Sequence, residues 1–201
     1  MDVAELERRL REGTDRTETR SDFDLNPGMK PIRDTIIEAA VLIPIIAHSD
    51  GPSVLMTVRT HQLKDHAGQV AFPGGRRDPG DVSPEATALR ETEEEVAIPR
   101  TAIRSIGRLA PYNTRTGYRV IPIVGIIEPP IAPRPEPTEV DEIFEVPLKF
   151  LLDRRNHQRH SHDVAGTSRQ FYAMPYGRFY IWGATAGMIV SLADTLDLER
   201  R

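Results

Sequence analysis

The hydrophobic pattern of the 201-residue chain consists mainly of short apolar runs separated by turn-forming residues. The run from Ile36 to His48 is rich in β-branched residues, and a second run, Ser53 to Thr60, follows the turn-prone residues 49–52. Two such runs joined by a short turn are typical of paired strands. By the same pattern, further strands are expected at 105–110, 118–128 and 142–146, and a hairpin is expected from residues 169–176 and 178–182.

Helical spacing occurs in three segments. Apolar and charged residues alternate at helical intervals over residues 1–13. Ser83 is suited to cap a second helix and Pro84 to begin it, and this helix is expected to end by Ile98. A closing helix is expected over residues 183–196. Strands interspersed with so few helices predict an α/β (α+β) fold, in which a mixed β-sheet lies between helices.

The N-terminal part of the chain predicts a separate segment. Residues 13–30 are polar and carry several charges without periodicity, which indicates a flexible connection. We therefore expect the N-terminal helix and this polar segment to occupy residues 1–30, and a single folded domain to occupy residues 31–201. The proline-rich residues 129–139 are interpreted as a connection within that domain.

The composition excludes several classes of protein. A formal net charge of −4 gives no support for a nucleic-acid partner, because phosphate contacts favour a strong basic excess. The absence of cysteine excludes disulfides, thiolate zinc sites and cysteine nucleophiles. The N-terminus lacks the apolar core of a signal peptide, and the apolar stretch 182–190 is shorter than the roughly 20 residues of a membrane span. A cytoplasmic protein without a membrane span is therefore expected.

A cluster of glutamates marks the second helix. At about 100° per residue, Glu91, Glu94 and Glu95 gather on one side of it, nearly opposite Leu89 and Val96. Like charges at these spacings cost about 0.2–0.5 kcal/mol per pair, and a bound cation would offset that cost. Carboxylate oxygens suit Mg²⁺ or Mn²⁺, which also bind water and substrate phosphates. A solvated helix face is the alternative explanation of these glutamates.

The sequence around the glutamates resembles the Nudix box, G-x5-E-x7-R-E-U-x-E-E-x-G-U, in which U is a bulky apolar residue. Gly75 supplies the glycine, Arg90 and Glu91 the R-E pair, and Glu94 and Glu95 the E-E pair. The resemblance implies a Nudix-type α/β/α sandwich and a metal-dependent pyrophosphohydrolase. It also implies that the three glutamates bind Mg²⁺ or Mn²⁺. The turn at Gly75 would bring a backbone carbonyl close to this metal, and Arg90 would orient a carboxylate.

The match to the Nudix box has three departures. Asp81 stands where the box has its first glutamate, and one extra residue precedes Arg90. Thr92 replaces an apolar residue, and Ala97 replaces the second glycine. The R-E-x-x-E-E core is intact, so Asp81 is a candidate partner of Arg90. A turn residue after Gly80 is the alternative for Asp81.

A second signature lies immediately upstream, from Leu55 to Gly75. The sequence LMTVRTHQLKDHAGQVAFPGG resembles L-L-T-x-R-[SA]-x3-R-x3-G-x3-F-P-G-G, which marks the coenzyme A pyrophosphatase branch of Nudix enzymes. This resemblance implies hydrolysis of coenzyme A or its thioesters to 3′,5′-ADP and (acyl-)4′-phosphopantetheine. Because coenzyme A carries a 3′-phosphate besides its diphosphate, Arg59 and Lys64 are expected to bind substrate phosphates. Loss of either cation is expected to weaken turnover of coenzyme A more than that of dephospho-coenzyme A. An ordinary exposed loop lysine is the alternative for Lys64. The other substrate-binding candidates are Gly68, Phe72 and Gly74.

A second acidic cluster follows the proline-rich loop and comprises Glu139, Asp141, Glu142 and Glu145. Nudix enzymes often take one more carboxylate from a distal loop as a base or metal ligand. Glu139 and Glu142 are therefore further catalytic candidates, with a solvated strand entrance as the alternative.

Two other functions stay open on the sequence alone, besides a structural or interaction protein, which explains the paired motifs poorly. The first is a Nudix hydrolase of another nucleoside diphosphate derivative, such as ADP-ribose, since the acidic helix serves all such substrates. The second is a non-catalytic Nudix module that senses a nucleotide, which the three retained glutamates argue against. The expected partner is a small-molecule diphosphate, and homodimer formation is left open.

Overall fold

The computed structural model describes residues 1–14, 19–63, 66–164 and 167–197. The helices in these residues are α1 (Val3–Thr14), α2 (Pro84–Val96), α3 (Leu148–Leu152) and α4 (Gly183–Leu196). The strands are β1 (Arg20–Ser21), β2 (Ile37–Ile46), β3 (Ser53–Arg59), β4 (Val70–Ala71), β5 (Gly74–Arg76), β6 (Ile103–Arg108), β7 (Tyr112–Asn113), β8 (Tyr118–Ile127), β9 (Val140–Pro147), β10 (Gln158–Val164), β11 (Thr167–Tyr176) and β12 (Phe179–Trp182).

Nine strands form one mixed sheet, and β10, β11 and β12 form a smaller antiparallel sheet. In the large sheet, β2 and β8 run parallel from the Ile37–Tyr118 pair to the Ile46–Ile127 pair. The strand β3 pairs with β2 only near Ile45, so the other half of β2 is free to pair with β5. This exchange of partners brings β5, which directly precedes the segment leading to α2, into the middle of the sheet.

Apolar side chains cover both faces of the large sheet. On one face, Leu6 of α1 and Ile189 of α4 pack with Met56 of β3. On the other face, Ala88 of α2 packs with Leu55 of the same strand. Successive residues of a strand point to opposite faces, so β3 contributes to both cores. The mixed sheet thus lies between helices, and the predicted α/β/α sandwich is confirmed.

Most of the predicted elements are present. The two apolar runs form β2 and β3, which are antiparallel, and α2 and α4 lie where capping residues and apolar spacing predicted them. The aromatic hairpin forms from β11 and β12, with Tyr176 paired to Phe179. The strand β10 was not predicted, because its sequence QRHSHDV is polar and lacks strand alternation.

The segment after α1 corrects one expectation. Part of residues 13–30 was expected to be a flexible connection, yet Arg20 and Ser21 pair with β7 and Asn26 is buried. The Asn26 side chain bonds to both the N–H and the carbonyl of Gln170, at 2.8 and 2.9 Å. These bonds tie the described part of the segment to the sandwich. The division of the chain at residue 30 stays a prediction.

Among the described residues, no helix has the length and apolar character that crossing a membrane requires.

Candidate active site

Local chemistry fixes both ends of α2. The Ser83 hydroxyl accepts a hydrogen bond from the Ala86 N–H at 3.1 Å, and Pro84 occupies the first turn. At the other end, Ala97 has a φ of 55° and donates its N–H to the Glu93 carbonyl. Helices commonly end in this left-handed conformation, which favours glycine. The geometry explains why the Nudix box has glycine at the position of Ala97.

Arg90 connects the start of α2 to its acidic side. Its guanidinium donates to the two carboxylate oxygens of Asp81 at 3.1 and 3.0 Å and to Glu94 at 2.8 Å. It also lies 2.9 Å from Glu91 and bonds to the carbonyl of Arg76 at 3.2 Å. The hydrogen bonds from Arg90 hold the pKa of the Asp81 carboxyl well below its usual range. Asp81 is therefore the carboxylate that binds Arg90 through both of its oxygens, and the ion pair that the sequence offered is present.

Thr87 supports this ion pair and was not among the predicted site residues. Its hydroxyl donates to Asp81 at 2.9 Å and is buried. The backbone N–H of Asp78 donates to the same Asp81 oxygen at 2.9 Å. The only sequence signal for Thr87 is its position one helical turn after the capping Ser83.

The glycines before α2 bring backbone against two of the glutamates. The Gly74 N–H donates to Glu95 Oε2 at 3.1 Å. Gly74 has a φ of 154°, and a Cβ there would lie 2.4 Å from the Ala40 carbonyl. A Cβ at Gly75 would lie 2.5 Å from the Glu91 carboxylate. Gly74 therefore excludes larger residues, whereas a side chain at Gly75 would displace the Glu91 carboxylate.

Glu95 is far more buried than its place among the glutamates predicted. Its exposed fraction is 3%, and burial raises the pKa of its carboxyl to about 8 in spite of the Gly74 hydrogen bond. Glu91 is half-buried, and burial likewise raises its pKa. Leu89 was expected on the packed side opposite the glutamates but is only partly buried. The fully packed side of α2 is formed by Thr87, Ala88, Thr92, Glu95 and Val96.

The acidic side of α2 fits a divalent cation by its chemistry. Burial is the largest cause of the raised pKa of Glu91 and Glu95. The negative charges of neighbouring carboxylates also raise both pKa values, and Glu139 contributes to each. A cation would relieve this repulsion, and carboxylate oxygens suit Mg²⁺ or Mn²⁺. In the described residues, however, no three His, Cys, Asp or Glu side chains converge closely enough to hold a metal. In this structure Arg90 engages Glu91 and Glu94, and Gly74 bonds to Glu95.

Arg59 lies on the other side of the buried carboxylate. Its Nη1 is 3.9 Å from Glu95 Oε1, and its Nε is buried without a hydrogen-bond partner in the described structure. The pairing of β3 with β9 is irregular between Val58 and Arg59. Arg59 therefore places a guanidinium with an unused donor beside the acidic side of α2.

The other residues of the upstream signature have different positions. Lys64 lies outside the described residues. Gly68 has a φ of 70° and faces the His61 ring, so it forms the loop turn. Phe72 was expected to bind substrate, but its exposed fraction is 3% and it packs in the core with α1 and α4. This packing holds the segment that leads to Gly74, and a substrate contact by Phe72 stays a prediction.

The two candidates from the second acidic cluster, Glu139 and Glu142, lie in different surroundings. Glu139 is exposed, its carbonyl accepts the Thr60 N–H at 2.9 Å, and its charge acts on Glu91 and Glu95. Glu142 instead forms an ion pair with Arg178 in the turn between β11 and β12. Its neighbour in the alternating pattern, Phe144, stacks on Phe179 at the face away from α2. The structure brings Glu139, and not Glu142, toward the acidic side of α2.

Comparisons with known proteins match this architecture. A family model described as the NUDIX domain matches residues 37–165. An uncharacterized Nudix hydrolase NudL from Photorhabdus laumondii is 44% identical over 181 residues, which cover 89% of this chain and 95% of that protein. The protein of the same name from Escherichia coli K12 is 46% identical over 164 residues, covering 81% of this chain and 84% of that protein.

Solved structures share the fold at low identity. A NUDIX hydrolase from Alicyclobacillus acidocaldarius aligns with a TM-score of 0.50 and 20% identity, covering 83% of this chain and 96% of that one. The Nudix hydrolase RenU from M. smegmatis also has a TM-score of 0.50, with 21% identity over 58% of this chain and 74% of that one. At these identities the likeness shows the fold alone.

Proposed function

The chain belongs to the NUDIX family, as a Nudix hydrolase of a nucleoside diphosphate derivative, and on that premise we propose that its substrate is coenzyme A or a coenzyme A thioester. The products are 3′,5′-ADP and (acyl-)4′-phosphopantetheine. The observation that carries this proposal is that two residues of the signature from Leu55 to Gly75 lie next to Glu95. Arg59 approaches this carboxylate from β3, and Gly74 binds it from the turn before α2.

The position of Arg59 supports a role in binding the diphosphate. A guanidinium can bind two phosphate oxygens at once, and its hydrogen bonds to charged oxygens are strong. Glu95 alone leaves Arg59 incompletely paired, since the 3.9 Å separation is an ion pair without a hydrogen bond. A diphosphate beside α2 would take up this free capacity. The assignment of Lys64 to a substrate phosphate rests on the sequence.

In this proposal Glu91, Glu94 and Glu95, with the backbone carbonyl of Gly75, would hold Mg²⁺ or Mn²⁺. When bound, the metal neutralises charge on the diphosphate and makes a water molecule nucleophilic. Arg90 positions the glutamates by engaging Glu91 and Glu94 from a guanidinium that Asp81 fixes.

Glu139 is the candidate for the general base. It lies on an exposed loop, so it is open to water and substrate, while its charge still acts on Glu91 and Glu95. A carboxylate in this position can accept the proton that the attacking water loses. Glu142 is set aside for this role because Arg178 neutralises it on the opposite face of the sheet.

The proposal is tested by identifying products. Purified protein is incubated separately with coenzyme A, acetyl-coenzyme A, ADP-ribose and diadenosine tetraphosphate, with Mg²⁺, Mn²⁺ or EDTA, and products are identified by mass spectrometry. We expect metal-dependent formation of 3′,5′-ADP from both coenzyme A substrates. Rapid turnover of ADP-ribose with inert coenzyme A would overturn the substrate assignment and leave the hydrolase in place.

A further inference from the structure

A cavity of about 770 Å³ lies away from the acidic side of α2, between the segment after β1 and the strand β11. Three cations line it: Lys30, Arg115 and Arg169. Leu25, Met29 and Ile32 add apolar surface. Among the described residues that line this cavity, none is an aspartate or a glutamate. It therefore combines concentrated positive charge with an apolar wall.

The two arginines of the cavity have hydrogen-bonding capacity to spare. The Nε atoms of both Arg115 and Arg169 are buried and lack a partner in the described structure. Asp22 engages Arg169 at 3.3 Å, but it also accepts the Tyr112 hydroxyl and the backbone N–H of Arg115, each at 2.9 Å. One carboxylate therefore neutralises only part of the positive charge. Buried donors without partners are costly, and an anionic ligand would satisfy them.

The wall of the cavity is held in place before any ligand arrives. The Asn26 side chain bonds to both backbone groups of Gln170. The Ile32 N–H donates to the Arg115 carbonyl at 2.8 Å. A preformed wall lowers the ordering cost of binding.

A short path along the chain links the cavity to the turn before α2. Arg115 precedes β8 by three residues, and Tyr118 at the start of β8 accepts a hydrogen bond from Arg76 at 2.7 Å. Arg76 directly follows Gly75, whose backbone lies against Glu91. The chain thus connects the two places through short contacts.

We propose that Arg115 and Arg169, assisted by Lys30, form a binding site for a phosphate monoester carried on a partly apolar molecule. Arginines bind phosphate oxygens bidentately, and the lysine adds a compact positive charge. The source of the phosphate is either the 3′-phosphate of the substrate or a free phosphorylated ligand. The first source rests on the proposed function, whereas the binding site itself does not.

The binding arm of the test uses the full chain in EDTA, so that neither turnover nor a metal contributes. Calorimetric titration compares 3′,5′-ADP with 5′-AMP, which lacks the second phosphate. We expect tighter binding of 3′,5′-ADP, and a loss of roughly 10-fold or more in Arg115→Gln, equivalent to one charge-assisted contact. Arg169→Lys, which keeps the charge opposite Asp22, should lose less. Arg119→Gln removes an exposed arginine outside the cavity and is the matched control.

Equal binding of 3′,5′-ADP by the parental protein and Arg115→Gln would overturn the site. Equal affinity of the parental protein for 3′,5′-ADP and 5′-AMP would also overturn it. Circular dichroism and the Arg169→Lys variant separate loss of binding from loss of folding.

The kinetic arm identifies the source of the phosphate. If it is the 3′-phosphate of the substrate, Arg115→Gln lowers kcat/KM for coenzyme A by roughly 10-fold and spares dephospho-coenzyme A. Arg59→Gln should lower both, because it acts at the diphosphate. Unchanged kinetics with lost 3′,5′-ADP binding assigns the site to a free ligand. A selective loss on coenzyme A in Lys64→Gln, with none in Arg115→Gln, would overturn the substrate source. If the proposed function is wrong, the parental protein does not turn over coenzyme A. The calorimetric titration in EDTA then still tests the phosphate site by itself.

Discussion

Gly74 donates its backbone N–H to the Glu95 carboxylate at 3.1 Å. This bond joins the signature upstream of α2 to a metal-ligand candidate of the helix. Among the three candidates Glu91, Glu94 and Glu95, only Glu95 is buried. A substitution at Glu95 tests whether this carboxylate serves the reaction. Glu95→Gln keeps the size and the bond to Gly74 but removes the charge. We expect turnover to fall on the order of 10²–10³, as when one group that stabilises the transition state is removed. Turnover should be measured at limiting and saturating Mg²⁺.

The matched control for Glu95→Gln is Glu93→Gln on the same helix. Glu93 is partly exposed and bonds to Arg100, away from the other glutamates. Its neutralisation should leave turnover within about twofold, because exposed ion pairs contribute little. Near-parental turnover of a folded Glu95→Gln protein would remove Glu95 from the site.

The stability of the metal-free protein should decrease with rising pH. Burial raises the pKa of Glu95 to about 8 in the folded chain, from an ordinary value of 4.5. Between these values the folded chain keeps a proton that the unfolded chain has released, so stability falls as pH rises through this window. Chemical denaturation in EDTA at a series of pH values measures the slope. The raised pKa of Glu91 adds a contribution of the same sign.

Glu95→Gln should flatten this dependence, leaving only the part that belongs to Glu91. Above pH 8 the variant should be more stable than the parental protein in EDTA, because it has no charge to bury. Identical pH slopes in the two proteins would show that burial does not raise the pKa of Glu95.

The ion pair of Asp81 with Arg90 should be needed to position the glutamates. Asp81→Asn removes the charge that fixes the guanidinium, so Glu91 and Glu94 lose their support. We expect activity or Mg²⁺ affinity to fall about 10–100-fold, as for other partners of metal ligands. Asp78→Asn is the control, since Asp78 is exposed and lies 3.8 Å from Arg90. A similar effect of the two substitutions would contradict a special role for Asp81.

Ala97→Gly should stabilise the protein without changing turnover. Ala97 holds a φ of 55°, which costs a residue with a Cβ about 1 kcal/mol relative to glycine. Urea denaturation should show a gain of this size in the free energy of unfolding. A lower unfolding free energy would show that the Ala97 methyl packs better than its backbone conformation suggests.

The sequence predicted the elements whose signals are local. Capping by Ser83 and Pro84 marked the start of α2, and apolar runs marked β2, β3, β8 and α4. The strand β10 was not predicted, because its pairing with β11 defines it and its own sequence pattern does not. The partner of Arg90 was found in spite of the shifted spacing, because Asp81 retains the carboxylate.

The burial of Glu95 could not be read from the charge pattern. It depends on Gly74 and Arg59, which lie 21 and 36 positions earlier in the chain. A helical signal was nevertheless present. Glu95 follows the small residues Ala88 and Thr92 by seven and three positions, so it lies on the side of α2 that they pack. The separation of Glu142 from Glu139 could not be predicted either, because it depends on alternation along β9, which places Glu142 on the opposite face of the sheet from α2.

A competition between substrates in one reaction measures the proposed preference for coenzyme A. Coenzyme A, dephospho-coenzyme A, ADP-ribose and diadenosine tetraphosphate are mixed at equal concentrations with the protein and Mg²⁺, and their consumption is followed by mass spectrometry. Relative rates in such a mixture report the ratios of kcat/KM. We expect coenzyme A to be consumed first, with 3′,5′-ADP and 4′-phosphopantetheine appearing together, and its consumption to fall on the order of 10²–10³-fold in Glu95→Gln. Consumption of ADP-ribose or diadenosine tetraphosphate while coenzyme A persists would contradict this preference.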